Sequence, residues 1–467
     1  MSSDPVVVGA DLGTSGWKVA ALDLAGRVVA EEEAGYAVDR PQPGWAQTEV
    51  AVWRHALDDV LATLAGRLAG RPVAALGLSG QMHGVVLVDG AGDALTPALL
   101  WPDQRAVAEL DRWRALPDAD RAALANPLVP GMTGPLLAWL SGAHPDLLDR
   151  AAAALLPKDA LRAALLPGTD PAVTDRSDAS ATLLWDVPGE RWSTAAVAAA
   201  GLPARLLPAV RPGAEVLGTA SLPVGEVPVV VGGADTPLAL LAAGTADGVQ
   251  VNLGSGAQVL RPGVRPRPVA DPVVHCFADA DDGWYAMAAL QNAGTAWAWV
   301  QQVLGLDWAT LAGCLHTAPP GAGGVVFAPF LTGERGGVAG PAARGGWTGL
   351  SADTSRADLA RAALEGVAFA VGAALDLLPA PPDDGVPVVL TGGGGRDPGL
   401  QQLLADVLGR PVQHVQVRSA SAAGAAVLAA HGVGVPVTPQ RAHGPVVRPR
   451  PVPELRAARD RWTAAIG

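Results

Sequence analysis

The hydrophobic pattern of the chain begins with short apolar runs broken by tight polar turns. Residues 6–34, "VVVGADLGTSGWKVAALDLAGRVVAEEEA", read as three short strands. Gly13 and Gly16 mark the first turn and Ala25-Gly26 the second. A similar phrase, "GVQVNLGSGAQVLRPG", returns at 248–263: an apolar run, Leu-Gly, a small hydroxyl residue, Gly and another strand. A second echo pairs "PVAALGLSGQMHG" (72–84) with "VPVVLTGGGGRDPG" (386–399). In both, a buried strand runs into a glycine-rich loop. In the first copy the strand is expected over Pro72–Leu76, with a loop that carries Gln81, Met82 and His83 outward.

Helical patterns lie between these runs. Residues 355–379 carry a Ser355-x-x-Asp358 capping box, a long helical body and a stop at Pro379. Residues 398–411 and 421–432 read as the last helices, with glycines at or near their ends. The Pro, Gly and Ala runs at 316–324 and 379–387 predict surface loops, and 211–228 predicts connecting turns leading into the buried strand "PVVVGGAD". The echoes are too far apart for a solenoid repeat. They predict two related α/β domains, 1–244 and 245–467, with the break near Gly244.

Composition agrees with two cores and narrows the partners. At 467 residues, 49% of them hydrophobic and 17% charged, the chain is globular and too long for one ordinary core. A net charge of −12 argues against a nucleic-acid surface, which rests on clustered Lys and Arg. Cys276 and Cys314 fit neither a CxxC nor a Cys/His ligand spacing, which disfavours disulfides and structural zinc. The start lacks the features of a signal peptide, and no apolar stretch is long enough to span a bilayer. A cytoplasmic protein with no membrane partner is expected. Lysine occurs only at Lys18 and Lys158, the other cations being arginine, so each lysine invites a specific reason.

Three segments could carry chemistry. In "ADLGTSGWK" an acid at a strand end precedes a turn whose backbone N–H groups, with Thr14 and Ser15, could cradle phosphate. Asp11 there could hold Mg²⁺ and Lys18 neutralise phosphate; an ordinary hairpin is the alternative. No Walker A pattern or protein-kinase signature is present. "NLGSGAQ" around Ser255 offers a second such turn, and "LTGGGGRD" a glycine cluster open to a flat ligand, or merely a flexible turn. In "VVVGGADTP" a strand delivers Asp235, which reads as a helix N-cap and, compatibly, as a general base facing a cleft. Ligands of open α/β sheets gather at such carboxyl ends.

Taken together, these motifs resemble the FGGY carbohydrate kinases over nearly the whole chain. The resemblance rests on "GADLGTSGWKVA", "PQPGWAQTEVAVW", "GLSGQMHG", "LLWPDQR", "LLPKDALR", "VTDRSDASATLLWD", "VVVGGADTPLALLAAG", "APFLTGERGG", "RAALEGVAFAVG", "LTGGGGRDPGLQQLLADVLGRPV" and "SAAGAAVLAA" in register. The GQMHG and SDAS segments incline it toward the xylulokinase branch. It implies two ribonuclease-H-like, actin/hexokinase-type ATPase domains of α/β class, a sugar-binding and a nucleotide-binding one, with the catalytic cleft between them. It also implies ATP- and Mg²⁺-dependent phosphorylation of a ketose, D-xylulose to D-xylulose 5-phosphate.

On this resemblance Asp235 is the proton acceptor and Asp11 the metal-side acid, both near Mg²⁺. Gly13, Thr14, Ser15, Lys18, Gly254 and Ser255 become phosphate-loop positions. Gly294, Gly393, Gly394 and Asp397 become nucleotide positions. Gln81, Met82, His83, Trp101, Asp103 and Thr236 join Asp235 in the sugar pocket. Trp101 as core, Met82 as filler and His83 as a buried imidazole remain open. So does a homodimer. Three departures concern the substrate: Thr236 replaces a common Asn, the second turn reads LGSGAQ for LGTSG, and GER continues Gly-Gly-Val. Another ketose or polyol, such as ribulose or sedoheptulose, is the alternative substrate. An actin-type nucleotide-binding regulator is the alternative class.

Overall fold

A computed structural model describes residues 4–245, 248–335, 337–380 and 385–466. Part of the loop expected over 379–387, and Gly336 of the GERGG segment, lie outside the described residues. The first sheet contains β1 (Val6–Leu12), β2 (Gly16–Asp23), β3 (Val28–Gly35), β4 (Val73–Gly80), β5 (Val216–Leu222) and β6 (Gly225–Val230). Their order across the sheet is β5-β6-β4-β1-β2-β3. The second contains β7 (Gln250–Leu253), β8 (Ala257–Pro262), β9 (His275–Ala278), β10 (Trp284–Leu290), β11 (Val388–Thr391), β12 (Val412–Gln416) and β13 (Ala442–Val447). Its order is β9-β10-β8-β7-β11-β12-β13.

The echoes in the sequence are therefore echoes in topology. In each sheet an antiparallel run, β1-β2-β3 or β7-β8-β10, is followed by a strand parallel to its first member, β4 or β11. A further parallel strand, β6 or β12, lies beyond it. This ribonuclease-H-like order, repeated, is the predicted α/β class.

Two local expectations are corrected. Residues 211–228 are not just turns, because β5 and β6 form an antiparallel hairpin closed at Gly225 (φ 114°). β6 runs into the predicted apolar strand at Val229 and Val230, but the period-two signal of β5 is faint, since only Ala220 and Leu222 mark its buried face among small and polar residues. The strand before GQMHG also does not stop at Leu76; β4 continues to Gly80.

The reason for its glycines lies among the helices: α1 (Val50–Leu68), α2 (Pro157–Leu165), α3 (Asp235–Ala243), α4 (Arg356–Asp376), α5 (Pro398–Leu408) and α6 (Ala420–Gly432). Helix α4 starts at the predicted Ser355/Asp358 capping box. Helix α6, near the end of the chain, returns to pack on the first sheet. A Cβ at Gly9 of β1 would come within 1.8 Å of the Ala422 carbonyl, and one at Gly77 of β4 within 2.0 Å of that of Ala425. A Cβ at Gly424 would meet the Leu238 carbonyl of α3 at 2.0 Å. Backbone thus rests on backbone. On the other face of this sheet, Trp53, Leu57 and Leu61 of α1 pack against Val8 and Ala10. Among the described residues no helix is long and apolar enough to cross a membrane.

Gly77→Ala should accordingly destabilise the fold by about 3 kcal/mol, since overpacking here means moving backbone. Gly66→Ala, in α1 where an added Cβ meets nothing within 4 Å, should stabilise by about 0.5–1 kcal/mol. Urea denaturation of both variants measures this, and similar behaviour would contradict the packing argument.

Candidate active site

Strand register brings the acidic residues together. Asp11 of β1 pairs with Ser79 of β4, and Gly233-Ala234 pairs with Ser79-Gly80 on the other side. Three adjacent segments therefore end side by side and present Asp11, Gln81 and Asp235. Asp235 is not the N-cap of its helix. Ala234 holds that place and Asp235 is the first helical residue, so its carboxylate is free to face the cleft.

Asp11, Lys18, Asp235 and Thr236 line one wall of a cavity of about 390 Å³, with Thr391, Gly393 and Arg396 opposite. Asp11 Oδ1 accepts a 2.8 Å bond from Ser79 Oγ. Burial raises its pKa, opposed by Ser79 and by Lys18. Burial, then the charge on Asp11, lifts Asp235 to about 7 against the hydrogen bonds from Thr236. Two carboxylates that resist joint ionisation thus share the wall.

An adjoining cavity of about 500 Å³ is lined by Gly13, Thr14 and Ser15 with Asp11 and Lys18. The β1–β2 turn is closed by Gly13 N–H to the Gly16 carbonyl at 3.0 Å. Trp101 Nε1 donates to Thr14 Oγ1 at 2.8 Å, which ties this turn to the next group of residues.

Past Gly80 the chain reverses through His83 (φ 67°) and Gly84 (φ 75°), both left-handed. Gln81 is held by its N–H on the Leu12 carbonyl, while its buried Oε1 has no partner. Met82 is buried and its sulfur accepts from the Tyr285 hydroxyl of β10 at 3.7 Å. His83 Nδ1 lies 2.6 Å from the Ala181 carbonyl, which can only accept, so Nδ1 carries the proton and Nε2 is left as an acceptor. Burial drives the His83 pKa down to about 4, with Arg335 adding to the drop and the Ala181 bond opposing it, so the ring is neutral.

Asp103, expected in the sugar pocket, is engaged by its own chain. Its side chain is fully buried, both oxygens are bound by Arg105, and one also accepts from Ala46 N–H. It anchors the loop that carries Trp101.

The nucleotide positions divide in a similar way. Within the cluster 392–395 only Gly393 has open space where a Cβ would stand; one at Gly394 would sit 3.0 Å from the Trp297 ring. Asp397 caps α5 by accepting from Leu400 N–H. The N–H groups of Ala293, Gly294 and Thr295 are already given to the carbonyls of Gly254 and Ser255. Gly254, Ser255, Gly294, Gly394 and Asp397 lie outside the linings of the two cavities.

Arg335 and Arg396 were missed as site residues. Both lie in quoted motifs, GERGG and GGGGRD, but an arginine beside a glycine run has no distinctive spacing. Arg335 reaches from the second half of the chain to place its guanidinium 4.9 Å from the Trp101 ring centroid. Solvent still reaches it, and the surrounding cleft walls lower its pKa despite Glu334.

Two like sheets whose strand ends converge on paired acids, with a glycine-lined wall opposite, have the architecture of a two-lobed phosphotransferase. The chain belongs to the FGGY family of carbohydrate kinases: the family's N-terminal domain matches residues 6–242 and its C-terminal domain residues 249–433. It is 33% identical over 445 residues to the xylulose kinase of Escherichia coli strain K12, covering 93% of this chain and 90% of that one. The xylulose kinase of Streptomyces coelicolor is 35% identical over 440 residues, 91% and 88% of the two chains. A solved xyloylose kinase from Brucella ovis matches with a TM-score of 0.88 at 30% identity, covering 98% of each chain. The protein is a sugar phosphotransferase.

The raised Asp235 pKa has a stability consequence. The folded carboxyl binds its proton more tightly than the unfolded one, whose ordinary value is 3.8, so stability falls as pH rises from about 4 toward 7. In chelator-treated protein, Asp235→Asn should raise the thermal midpoint at pH 8 and raise it less at pH 5. Equal gains at both values would contradict the buried-charge reading.

Proposed function

We propose that this chain phosphorylates D-xylulose from ATP, giving D-xylulose 5-phosphate, with residues 1–244 binding sugar and 245–467 binding nucleotide. The observation that carries the chemistry is the Asp11–Asp235 pair in one cavity opposite Gly393 and Arg396. The choice of sugar rests on the named activity of the relatives at 33% and 35% identity.

The residues fit Mg²⁺ and ATP. No group of three or more His, Cys, Asp or Glu side chains among the described residues forms a protein-only metal site. Mg²⁺ is commonly held by one or two carboxylates together with phosphate oxygens and water. Asp11 and Asp235 supply such a set, and their mutual repulsion is what a bound cation relieves. Bound there, Mg-ATP supplies the phosphoryl group and part of the neutralising charge.

The protein's own part is positioning and proton transfer. Asp235, on the cavity wall beside Asp11, accepts the proton of the sugar hydroxyl as it attacks. Lys18, Thr14 and Ser15 face the transferring phosphoryl group. The neutral His83 accepts a sugar hydroxyl at Nε2, and Trp101 offers an apolar face. Arg335 meets Trp101 from the opposite half, so sugar binding is coupled to closure and exclusion of water.

Asp235→Asn should lower turnover by about 10²–10⁴-fold while ATP still binds, measured by coupled ADP release and calorimetry. Near-normal turnover would sink the base assignment. Arg335→Ala should raise the sugar KM by roughly tenfold or more and leave the ATP KM unchanged. In a panel of D-xylulose, D-ribulose, sedoheptulose and polyols, D-xylulose should give the highest kcat/KM; a higher value for another sugar would reassign the substrate.

A further inference from the structure

The segments "LLPKDALR" and "VTDRSDAS" have no part in the chemistry above, yet they build a buried ionic cluster. Lys158, at the start of α2, places Nζ 2.5 Å from Asp159 Oδ1, 3.1 Å from Asp175 Oδ1 and 3.2 Å from Asp178 Oδ2. None of these side chains is more than 3% exposed. Arg162 joins through Asp159 Oδ1 and also donates to the Val231 carbonyl at 2.8 Å.

Burial pulls the Lys158 pKa down, but the three aspartates outweigh it and hold the ammonium charged. Lys158, 3.2 Å from Oδ2, is the ion-pair partner of Asp178. Burial raises its pKa well above normal, Lys158 opposing and Asp175 and Asp159 adding. Such a cluster is poor at adding stability, because desolvation offsets most of the attraction, and registry is its better-attested use.

The registry in question is that of two strand ends. The Lys158 stem runs across Gly80 and Gly232: a Cβ at Gly80 would lie 2.7 Å from Lys158 Cβ, and one at Gly232 3.1 Å from its Cδ. Gly80 precedes Gln81, and Gly232 is three residues before Asp235. A hydrogen-bonded relay completes the connection. Asp175 Oδ2 accepts from the N–H of Ser177 at 2.8 Å and from its hydroxyl, and Ser177 Oγ accepts from Ala234 N–H at 3.0 Å.

We propose that Lys158, Asp159, Asp175 and Asp178 form a positioning device that acts through Ser177 on the Ala234 backbone to aim Asp235 at the sugar hydroxyl. This rests on Asp235 being the base. The cluster does not contact substrate, and it acts by geometry: the charges that set the Asp235 pKa come from burial and Asp11.

Ser177→Ala and Asp175→Asn break the relay at successive links. Each should reduce kcat by about a hundredfold, the scale of an ångström-level misplacement, with sugar and ATP KM nearly unchanged. The double variant should lose no more than the worse single one, because both act on one path. Ser193→Ala, which removes the hydroxyl capping a short helix that lines neither cavity, is the stability control and should keep normal kcat. The proposal is overturned if Ser177→Ala keeps kcat at the control's level, or if the two relay losses multiply. Failure of the base reading is distinguishable, because it shows as turnover in Asp235→Asn.

Discussion

The constraint on which the structure depends is the contact of one helix backbone with two strand backbones. Helix α6 lies so close to β1 and β4 that Gly9 and Gly77 have no room for a methyl group, and Gly424 meets α3 with equal closeness. Beneath that contact, strand register levels the ends of β1, β4 and the 233–234 segment. Asp11, Gln81 and Asp235 share a surface because those ends are level. The helix contact also ties the last part of the chain to the first sheet, so the cleft is assembled by residues more than four hundred positions apart.

Electrostatics then divides the cleft into two environments. On one side burial and mutual repulsion leave Asp235 poised near neutrality beside Asp11. On the other, burial keeps His83 uncharged with a fixed tautomer, and Arg335 supplies the cation from across the cleft. On the proposed reading, the acceptor hydroxyl would lie between a base, a neutral acceptor and a distant positive charge. The Lys158 and Asp103 clusters spend their charges internally and hold backbone in place.

Much of this was legible because glycine-rich turns after apolar runs leave a strong local signature. The three-strand openings, their echo and the capping box at Ser355 all appear in the structure. Strand β5 was not legible, since its buried face is marked only by Ala220 and Leu222 among small and polar residues. GLSG looked like a broken strand because glycine preference is read locally, whereas here it answers to a helix from the far end of the chain. Asp103, Asp397 and Gly294 matched motif positions, but whether a carboxylate or an amide faces a ligand or its own chain depends on partners the motif does not contain.

By itself the sequence determined the class of fold and the family, and put Asp11 and Asp235 forward as candidates, because apolar periodicity and ordered motifs survive without coordinates. The tertiary structure decided which groups are free to act. It released Asp235 from capping, set the His83 tautomer, brought Arg335 to Trp101 and gathered Lys158 with three aspartates. These outcomes depend on distance and on exclusion of water, and neither quantity is carried by the order of residues along a chain.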